Sequence, residues 1–260
     1  YRGKPLYPFG YGLSYARFEY SDFDVRENGD VISVSLDVTN VSETDSDEVV
    51  QIYFRMENPS VKRPLRQLVA FARERIEGGR TRHFEFDIKK SELRFYDVSR
   101  ERFAVEQGRY TFMAGASSED IRLTKTINVS GEIIPPRELC KGVKAKNYDG
   151  KCGAKMKYSK KLEQHYMLGG GLIYNNCVLG EADSIEIVCG SRVNTGKITV
   201  RYGGETLCEA EVKPTVDVTE FETVTAQFDK AVLAGIDREK PAAFELWMPE
   251  QIYILGFRTY

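Results

Sequence analysis

The sequence predicts an all-β protein made of two β-sandwiches, and three observations support this fold class. Polar and apolar residues alternate along short segments in both halves, as in strands with one buried face. Asn-Gly and Gly-Gly pairs mark turns between segments of the first half. A stiff Pro135-Pro136 spacer then divides the chain. We therefore predict domains at 16–131 and 140–260, joined by a linker at 132–139 and preceded by a separate segment at 1–15.

The first half predicts an immunoglobulin-like sandwich of about seven short strands. Residues 31–38 alternate through Ser33, Ser35 and Asp37, and Asn28-Gly29 predicts a tight hairpin that joins them to residues 18–24. Only Lys90–Leu93 is compatible with a helical turn. Further strands are predicted at 49–55, 68–73, 82–88, 102–106, 110–114 and 121–129.

The second half alternates again, with no predicted helix between its strands, and this pattern indicates a jelly roll. The Gly169-Gly170-Gly171 run lacks the lysine and the following helix of a phosphate-binding loop. It therefore predicts a loop or a β-bulge. The predicted strands are 185–188, 197–202, 221–225, 244–248 and 252–257.

The charge balance excludes two classes of partner. The chain has 37 basic and 39 acidic residues, so it offers no net field to nucleic acid or to an anionic membrane. It has no apolar stretch of the about 20 residues that span a bilayer. We expect a soluble protein without nucleic-acid or membrane partners. The first residues, Tyr1-Arg2-Gly3-Lys4, are neither a signal peptide nor an ordinary amino terminus, which predicts a piece of a longer protein.

The five cysteines all lie in the second half, and none forms a Cys-x-x-Cys pair. The two histidines, His83 and His165, have no partner at metal-ligand spacing. We therefore predict no metal and no cofactor. Reduced thiols packed as small core residues are expected, which favours a cytoplasmic location and leaves one or two disulfides as an alternative. The cysteines are Cys140, Cys152, Cys177, Cys189 and Cys208.

The leading segment has an unusual composition. Pro8, Gly10 and Gly12 prevent a regular element, while aromatic and aliphatic side chains between them offer a large apolar area. We call residues 5–15 the strap and predict that it lies clamped between two bodies. The alternative is an aromatic loop that caps a β-domain. The predicted interface residues are Tyr7, Phe9, Tyr11, Leu13 and Tyr15.

Two regions resemble glycoside hydrolase family 3. Pro8-Phe9-Gly10-Tyr11-Gly12-Leu13-Ser14-Tyr15 resembles the junction at which the catalytic region of these enzymes ends. The motifs at 47–53, 68–71, 93–97, 108–110 and 115–118 resemble the fibronectin type III-like domain that follows it.

This resemblance implies that residues 1–15 are the tail of an upstream hydrolase domain, and that the chain is the carboxyl-terminal accessory region of a β-glucosidase or β-xylosidase. Its implied role is to brace the catalytic domains. The implied partners are those upstream domains and an oligosaccharide or β-glycoside substrate, with a homo-oligomer as a further alternative. Tyr53, Tyr96 and Tyr110 are then expected to be core or corner residues.

The second half resembles a family 6 carbohydrate-binding module through the motifs at 143–150, 195–204 and 251–257. It departs from that family at Lys144 and Lys146, which stand where carboxylates would hold calcium, so we predict no calcium site. Val224 stands at the usual sugar-stacking position, and Gln251 replaces an asparagine. The remaining candidates for carbohydrate binding are Tyr174 with Asn175 and Asn176, and Trp247 with Gln251.

The sequence identifies no catalytic residue. A retaining glycosidase needs two facing carboxyl groups. Ser21-Asp22-Phe23 imitates the family 3 nucleophile motif, but it falls on a predicted sandwich strand. An independent carbohydrate-binding or adhesion module pair remains the alternative function.

Overall fold

The computed structural model describes residues 5–215 and 220–260, and its regular structure is nearly all β-strand. The expectation about Tyr1-Arg2-Gly3-Lys4 lies outside the described residues. The chain divides into two units, each with its own hydrophobic core. Unit 1 comprises residues up to Asp97 together with Arg102–Ile134, and unit 2 comprises Val98–Glu101 and Pro135–Tyr260.

Unit 1 is a β-sandwich, as predicted. A three-stranded antiparallel sheet has the order β1-β2-β5, and a four-stranded antiparallel sheet has the order β4-β3-β8-β9. A separate hairpin joins β6 and β7. The strands are β1 (Phe18–Asn28), β2 (Val31–Asn40), β3 (Ser46–Met56), β4 (Gln67–Ile76), β5 (Thr81–Lys89), β6 (Phe95–Asp97), β7 (Arg102–Ala104), β8 (Gly108–Gly115) and β9 (Ile121–Val129), with a 3₁₀ turn at Lys90–Leu93.

The core of unit 1 follows from the alternation in the sequence. Every second residue of β2 is buried, beginning with Ile32. Gly29, with φ of 63°, completes the predicted hairpin between β1 and β2. Leu36 from one sheet and Ile52 and Phe112 from the other belong to the same buried cluster. The two sheets therefore share one core.

Two of the three tyrosines expected in the core or at a corner are buried. Tyr53 is buried, and the hydroxyl of Tyr110 donates to the backbone oxygen of Glu106 at 2.8 Å, which is the geometry of a tyrosine corner. The expectation for Tyr96 was wrong. Tyr96 is exposed because it lies on the β6–β7 hairpin outside both sheets, where its ring meets Phe103 edge-on at 5.2 Å.

Unit 2 is a second β unit organised around its last strand. The first part of β19 pairs with β14 and β16, and the last part pairs with β15 and β11. Its strands are β10 (Arg137–Glu138), β11 (Val143–Lys144), β12 (Gly150–Cys152), β13 (Lys155–Ser159), β14 (Gln164–Val178), β15 (Ser184–Ser191), β16 (Gly196–Tyr202), β17 (Glu205–Val212), β18 (Glu222–Gln227) and β19 (Ala242–Thr259).

The structure corrects the helix-free expectation for this unit. A short helix, α1 (Lys230–Gly235), lies between β18 and β19, and Asp229 caps it by accepting from the Ala231 backbone N–H at 2.8 Å. Aspartate at this position is a known helix-start signal. The glycine run proves to be a bulge rather than a loop, because Gly169 and Gly170 have positive φ at a register shift inside β14.

All five cysteines are free thiols. Cys177 and Cys189 are fully buried and match the expectation of small core residues, whereas Cys140 and Cys152 are exposed and contradict it. Both exposed thiols lie in short elements at the surface of unit 2. Among residues 5–215 and 220–260, no helix is long and apolar enough to cross a membrane.

Candidate functional site

The strap runs across the outer face of the four-stranded sheet, and a buried amide holds it there. In β3, the side chains of Val50 and Ile52 belong to the core, so the side chain of Gln51 between them points to the outer face of the sheet. Gln51 is nevertheless only 3% exposed. Its Nε2 donates to the backbone oxygens of Ala116 at 2.5 Å and Gly10 at 3.3 Å. Its Oε1 accepts from the Tyr53 hydroxyl at 2.5 Å. Gln51 therefore ties the strap to the sheet.

A backbone hydrogen bond adds to this attachment. The backbone oxygen of Phe9 accepts from the Ser118 N–H at 2.9 Å, and Tyr11 N–H donates to the Pro8 oxygen at 3.0 Å within a turn. Gly10 has φ of 77°, a conformation that favours glycine, and an added Cβ would collide with the Gln51 amide. The strap backbone is thus held in a defined conformation.

The side chains of the strap point the other way, into solvent. The rings of Tyr7 and Tyr11 contact each other with centroids 5.2 Å apart. A loop that capped its own domain would bury such side chains, so the loop-cap alternative does not describe this arrangement. The exposed fractions are 67% for Tyr7, 65% for Phe9, 48% for Tyr11, 89% for Leu13 and 102% for Tyr15.

The apolar surface continues onto the sheet. Phe71 in β4 is directly opposite Gln51 in the strand register and is largely exposed. Leu6 at the start of the strap is also exposed. Soluble monomers rarely leave large contiguous apolar patches uncovered, and such patches commonly mark interaction surfaces.

Beside the strap lies a cavity of about 610 Å³ with a charged wall. The carboxylate of Glu48 accepts from the Tyr20 hydroxyl at 2.8 Å, and the Arg122 guanidinium lies 3.7 Å from the same carboxylate. Arg122 also covers the Tyr20 ring at 4.6 Å and pairs with Asp120 at 2.9 Å. Burial raises the pKa of the Glu48 carboxyl, although Tyr20 and Arg122 oppose the shift. No spacing in the sequence indicated this cluster.

Unit 2 carries a second candidate surface at the chain's single tryptophan. Trp247 in β19 stands between Gly171 of β14 and Thr199 of β16. A Cβ added at Gly171 would come within 2.7 Å of the indole, so the ring packs directly over the backbone of that glycine. The indole Nε1 donates to Glu245 Oε2 at 2.6 Å. The half-buried indole therefore has a fixed position on the outer face of the sheet.

The predicted companion of Trp247 lies at some distance. Gln251 is half-buried, and its Nε2 is 3.4 Å from a Cβ position built on Gly196. Gly196 is three residues from Thr199 along β16, which corresponds to about 10 Å. The structure thus places Trp247 and Gln251 apart from each other.

Tyr174 is a core residue, which corrects its prediction as a sugar-stacking residue. It is fully buried, its hydroxyl donates to the Ala145 oxygen at 2.9 Å, and its ring meets Phe257 edge-on at 5.0 Å. No face of the ring is left for a ligand. Asn175 is exposed, and Asn176 is half-buried with φ of 53°. These two residues therefore lie at the surface, but the buried ring of Tyr174 cannot act with them in stacking against a sugar.

Comparison with known proteins gives a match in the first half of the chain. The family model described as "Fibronectin type III-like domain" matches residues 48–118. Thermostable beta-glucosidase B of Acetivibrio thermocellus is 35% identical over 135 residues, which cover 50% of this chain and 18% of that protein. A putative beta-xylosidase of Formosa agariphila is 38% identical over 125 residues, covering 46% and 16%. The chain spans less than a fifth of the length of these curated relatives.

Among solved structures, beta-glucosidase 3B of Thermotoga neapolitana in complex with alpha-D-glucose matches with a TM-score of 0.48 and 32% identity, covering 51% of this chain and 19% of that one. Within unit 1, residues 48–118 match a fibronectin type III-like domain, and about half of the chain's length is homologous to a region of β-glucosidases.

Proposed function

We propose that this chain is the carboxyl-terminal accessory region of a family 3 β-glycosidase and that unit 1 braces the upstream catalytic domains through the strap. The names of the relatives, β-glucosidases and a putative β-xylosidase, support the enzyme class. The observation that carries the bracing role is the strap itself. Its backbone accepts hydrogen bonds from the Gln51 amide at Gly10 and from the Ser118 N–H at Phe9, while its apolar side chains face solvent.

The free energy of apolar burial favours an arrangement in which another domain covers the strap. Burying a large apolar side chain stabilises an association by about 1.5 to 3 kcal/mol. Five such side chains on one ordered segment offer a large driving force, and little further conformational entropy is lost because the backbone is already fixed. In this proposal the catalytic domains supply the reacting carboxylates and this chain supplies none.

The test uses the full-length enzyme with Phe9→Ala and Tyr11→Ala combined. We expect kcat/KM for an aryl β-glycoside to fall and limited proteolysis between the catalytic part and unit 1 to accelerate, because the covered apolar contact is lost. The matched control is Tyr96→Ala with Phe103→Ala, which removes two exposed aromatic side chains outside the strap. Unchanged hydrolysis and unchanged proteolysis in the strap variant would refute the bracing role. A change in oligomer mass instead would identify a second copy as the occupant.

A second candidate function, contact with the glycan substrate, is favoured by the position of Trp247. An indole fixed on a sheet face can stack against the C–H face of a sugar, and Glu245 and Thr199 beside it can bond hydroxyl groups. A glycan contact at Trp247 is also compatible with the alternative function, an independent pair of carbohydrate-binding modules.

Because Trp247 is the only tryptophan, its fluorescence reports on this surface alone. We expect cello- or xylo-oligosaccharides to change the emission of the chain. Gly171→Ala should weaken that response, because the new methyl group forces the indole to move. The control is Gly12→Ala, which adds a methyl group in open space. Gly180→Ala is unsuitable because Gly180 has positive φ. Emission that stays constant with every oligosaccharide would refute a glycan contact at Trp247.

A further inference from the structure

A groove of about 440 Å³ lies on the outer face of β15 and β19 in unit 2. Its floor is apolar and consists of the half-buried residues Val188 and Leu255 together with Gly256. Val188 and Gly256 are direct cross-strand partners. The backbone oxygen of Val143 lies 2.6 Å from the position that a Cβ on Gly256 would occupy, so the β11 backbone borders the groove at this point. The volume is within the range of about 300 to 1,000 Å³ that small-molecule sites occupy.

One wall of the groove is a connected polar group. Glu186 and Arg258 are direct cross-strand partners. The Tyr260 hydroxyl donates to Glu186 Oε2 at 2.6 Å, and the Arg258 guanidinium lies 5.8 Å from the centre of the Tyr260 ring. The Tyr260 side chain is nevertheless half exposed. The wall therefore combines an accessible aromatic ring with a carboxylate and a guanidinium whose positions are set by neighbours.

The charges around the groove cancel. Lys144 lines the groove, and its ammonium lies 2.6 Å from the Glu101 carboxylate, also in unit 2. The hydrogen bond from Lys144 holds the pKa of the Glu101 carboxyl below its ordinary value. Arg258 and Glu186 add one positive and one negative charge. A site with balanced charge and several hydrogen-bonding groups suits a neutral polyhydroxylated ligand better than an ion.

We infer that this groove binds a neutral saccharide, with the C–H face of a pyranose ring on Tyr260 and its hydroxyl groups bonded by Glu186 and Arg258. The choice of glucose- or xylose-based oligosaccharides as the ligand class rests on the proposed function. The groove itself is independent of the strap and of Trp247.

The test is calorimetric titration of the 260-residue chain carrying Trp247→Ala, so that any glycan contact at the tryptophan is removed. Cellotetraose and xylotetraose are the probes, with tetragalacturonate as a charged comparison. We expect one of the neutral probes to bind. Tyr260→Ala should weaken the binding at least tenfold, because the stacking face is lost. Glu186→Gln should weaken it by a smaller factor, because the amide keeps the shape but loses the charged acceptor.

Thermal unfolding of each variant shows whether it is folded, and Glu222→Gln, an exposed glutamate in the neighbouring β18, is the matched control. Absence of binding by both neutral probes, or binding that Tyr260→Ala and Glu186→Gln leave unchanged, would overturn the inference. Preference for tetragalacturonate would overturn the neutral class. The strap experiment does not involve this groove, so its failure would refute the bracing role alone.

Discussion

At the scale of single residues, buried polar side chains determine the conformation of loops in unit 1. Asn40 is fully buried at the end of β2. Its Nδ2 donates to the backbone oxygens of Thr44 at 2.8 Å and Ile76 at 3.0 Å, and its Oδ1 accepts from Ser42 N–H at 3.0 Å. One side chain thus satisfies two backbone groups in the turn between β2 and β3 and a third at the end of β4.

Asn40→Ala should lower the free energy of unfolding of unit 1 by about 2 to 3 kcal/mol, because it leaves buried backbone groups without partners. Chemical denaturation measures this change. Asn128→Ala removes the same side chain from an exposed position in β9 and should cost less than about 0.5 kcal/mol. Equal effects of the two changes would show that the Asn40 hydrogen bonds do not stabilise the turn.

The raised pKa of Glu48 predicts how the stability of unit 1 depends on pH. Burial raises its carboxyl pKa above the ordinary 4.5, so the protonated form is favoured in the folded state. Its stabilising contribution is fully present below pH 4.5 and is lost as the pH rises through the folded-state value. Glu48→Gln keeps an oxygen acceptor for Tyr20 and removes the titration. The stability of the native protein relative to this variant should therefore fall between acid and neutral pH.

Asp45 is the control, because its pKa is shifted in the opposite direction to that of Glu48. The Gly78 N–H at 3.0 Å and the Arg75 guanidinium at 3.2 Å lower its pKa below 3.8. Its contribution is present above pH 3.8 and is lost as the pH falls through the folded-state value. Denaturation curves collected from pH 3 to 7 on both variants, Glu48→Gln and Asp45→Asn, should show opposite slopes. Parallel slopes would contradict the assignment for Glu48.

At the scale of elements, the strap is an irregular segment, and the side chain of Gln51 in β3 is one of the groups that hold it. Gln51→Ala should release it, because the amide bonds to Ala116 and Gly10 disappear and the Tyr53 hydroxyl loses its acceptor. We expect cleavage near Tyr11 by chymotrypsin to accelerate at least tenfold. Gln107→Ala, at an exposed position, should leave the cleavage rate unchanged. A strap that stays protected in Gln51→Ala would show that the hydrogen bonds of Phe9 with Ser118 and of Ser14 with Ser46 are sufficient to hold it.

The sequence predicted elements that local pattern determines and failed where distant contacts decide. The β1–β2 hairpin followed from alternation around Asn28-Gly29, both of which are short-range signals. The docking of the strap depends on the hydrogen bond between Gln51 and Gly10, which are 41 residues apart, and no local pattern indicates this pair. β14 was missed because three glycines with a bulge interrupt its alternation. Tyr174 was taken for a surface residue because its neighbours Asn175 and Asn176 are polar, whereas packing against Phe257 buries it.

At the scale of the whole molecule, the largest buried cluster of unit 1 and the largest buried cluster of unit 2 share no residue. Ile52 belongs to the cluster of unit 1, and Leu246 belongs to the cluster of unit 2. Hydrophobic burial is the dominant stabilising contribution in each unit. A cavity created in one cluster therefore removes contacts from that unit only.

Ile52→Ala should lower the free energy of unfolding of unit 1 by about 2 to 5 kcal/mol, because a fully buried side chain is truncated and the surrounding residues relax only in part. Native-state hydrogen exchange resolves where the loss occurs. Protection should fall in β3 and β8 while β16 and β19 keep theirs, and Leu246→Ala should give the reverse pattern. If either change lowered protection equally in all four strands, the two units would unfold as one cooperative body, and the strap variants would then have to be interpreted through the stability of the entire chain.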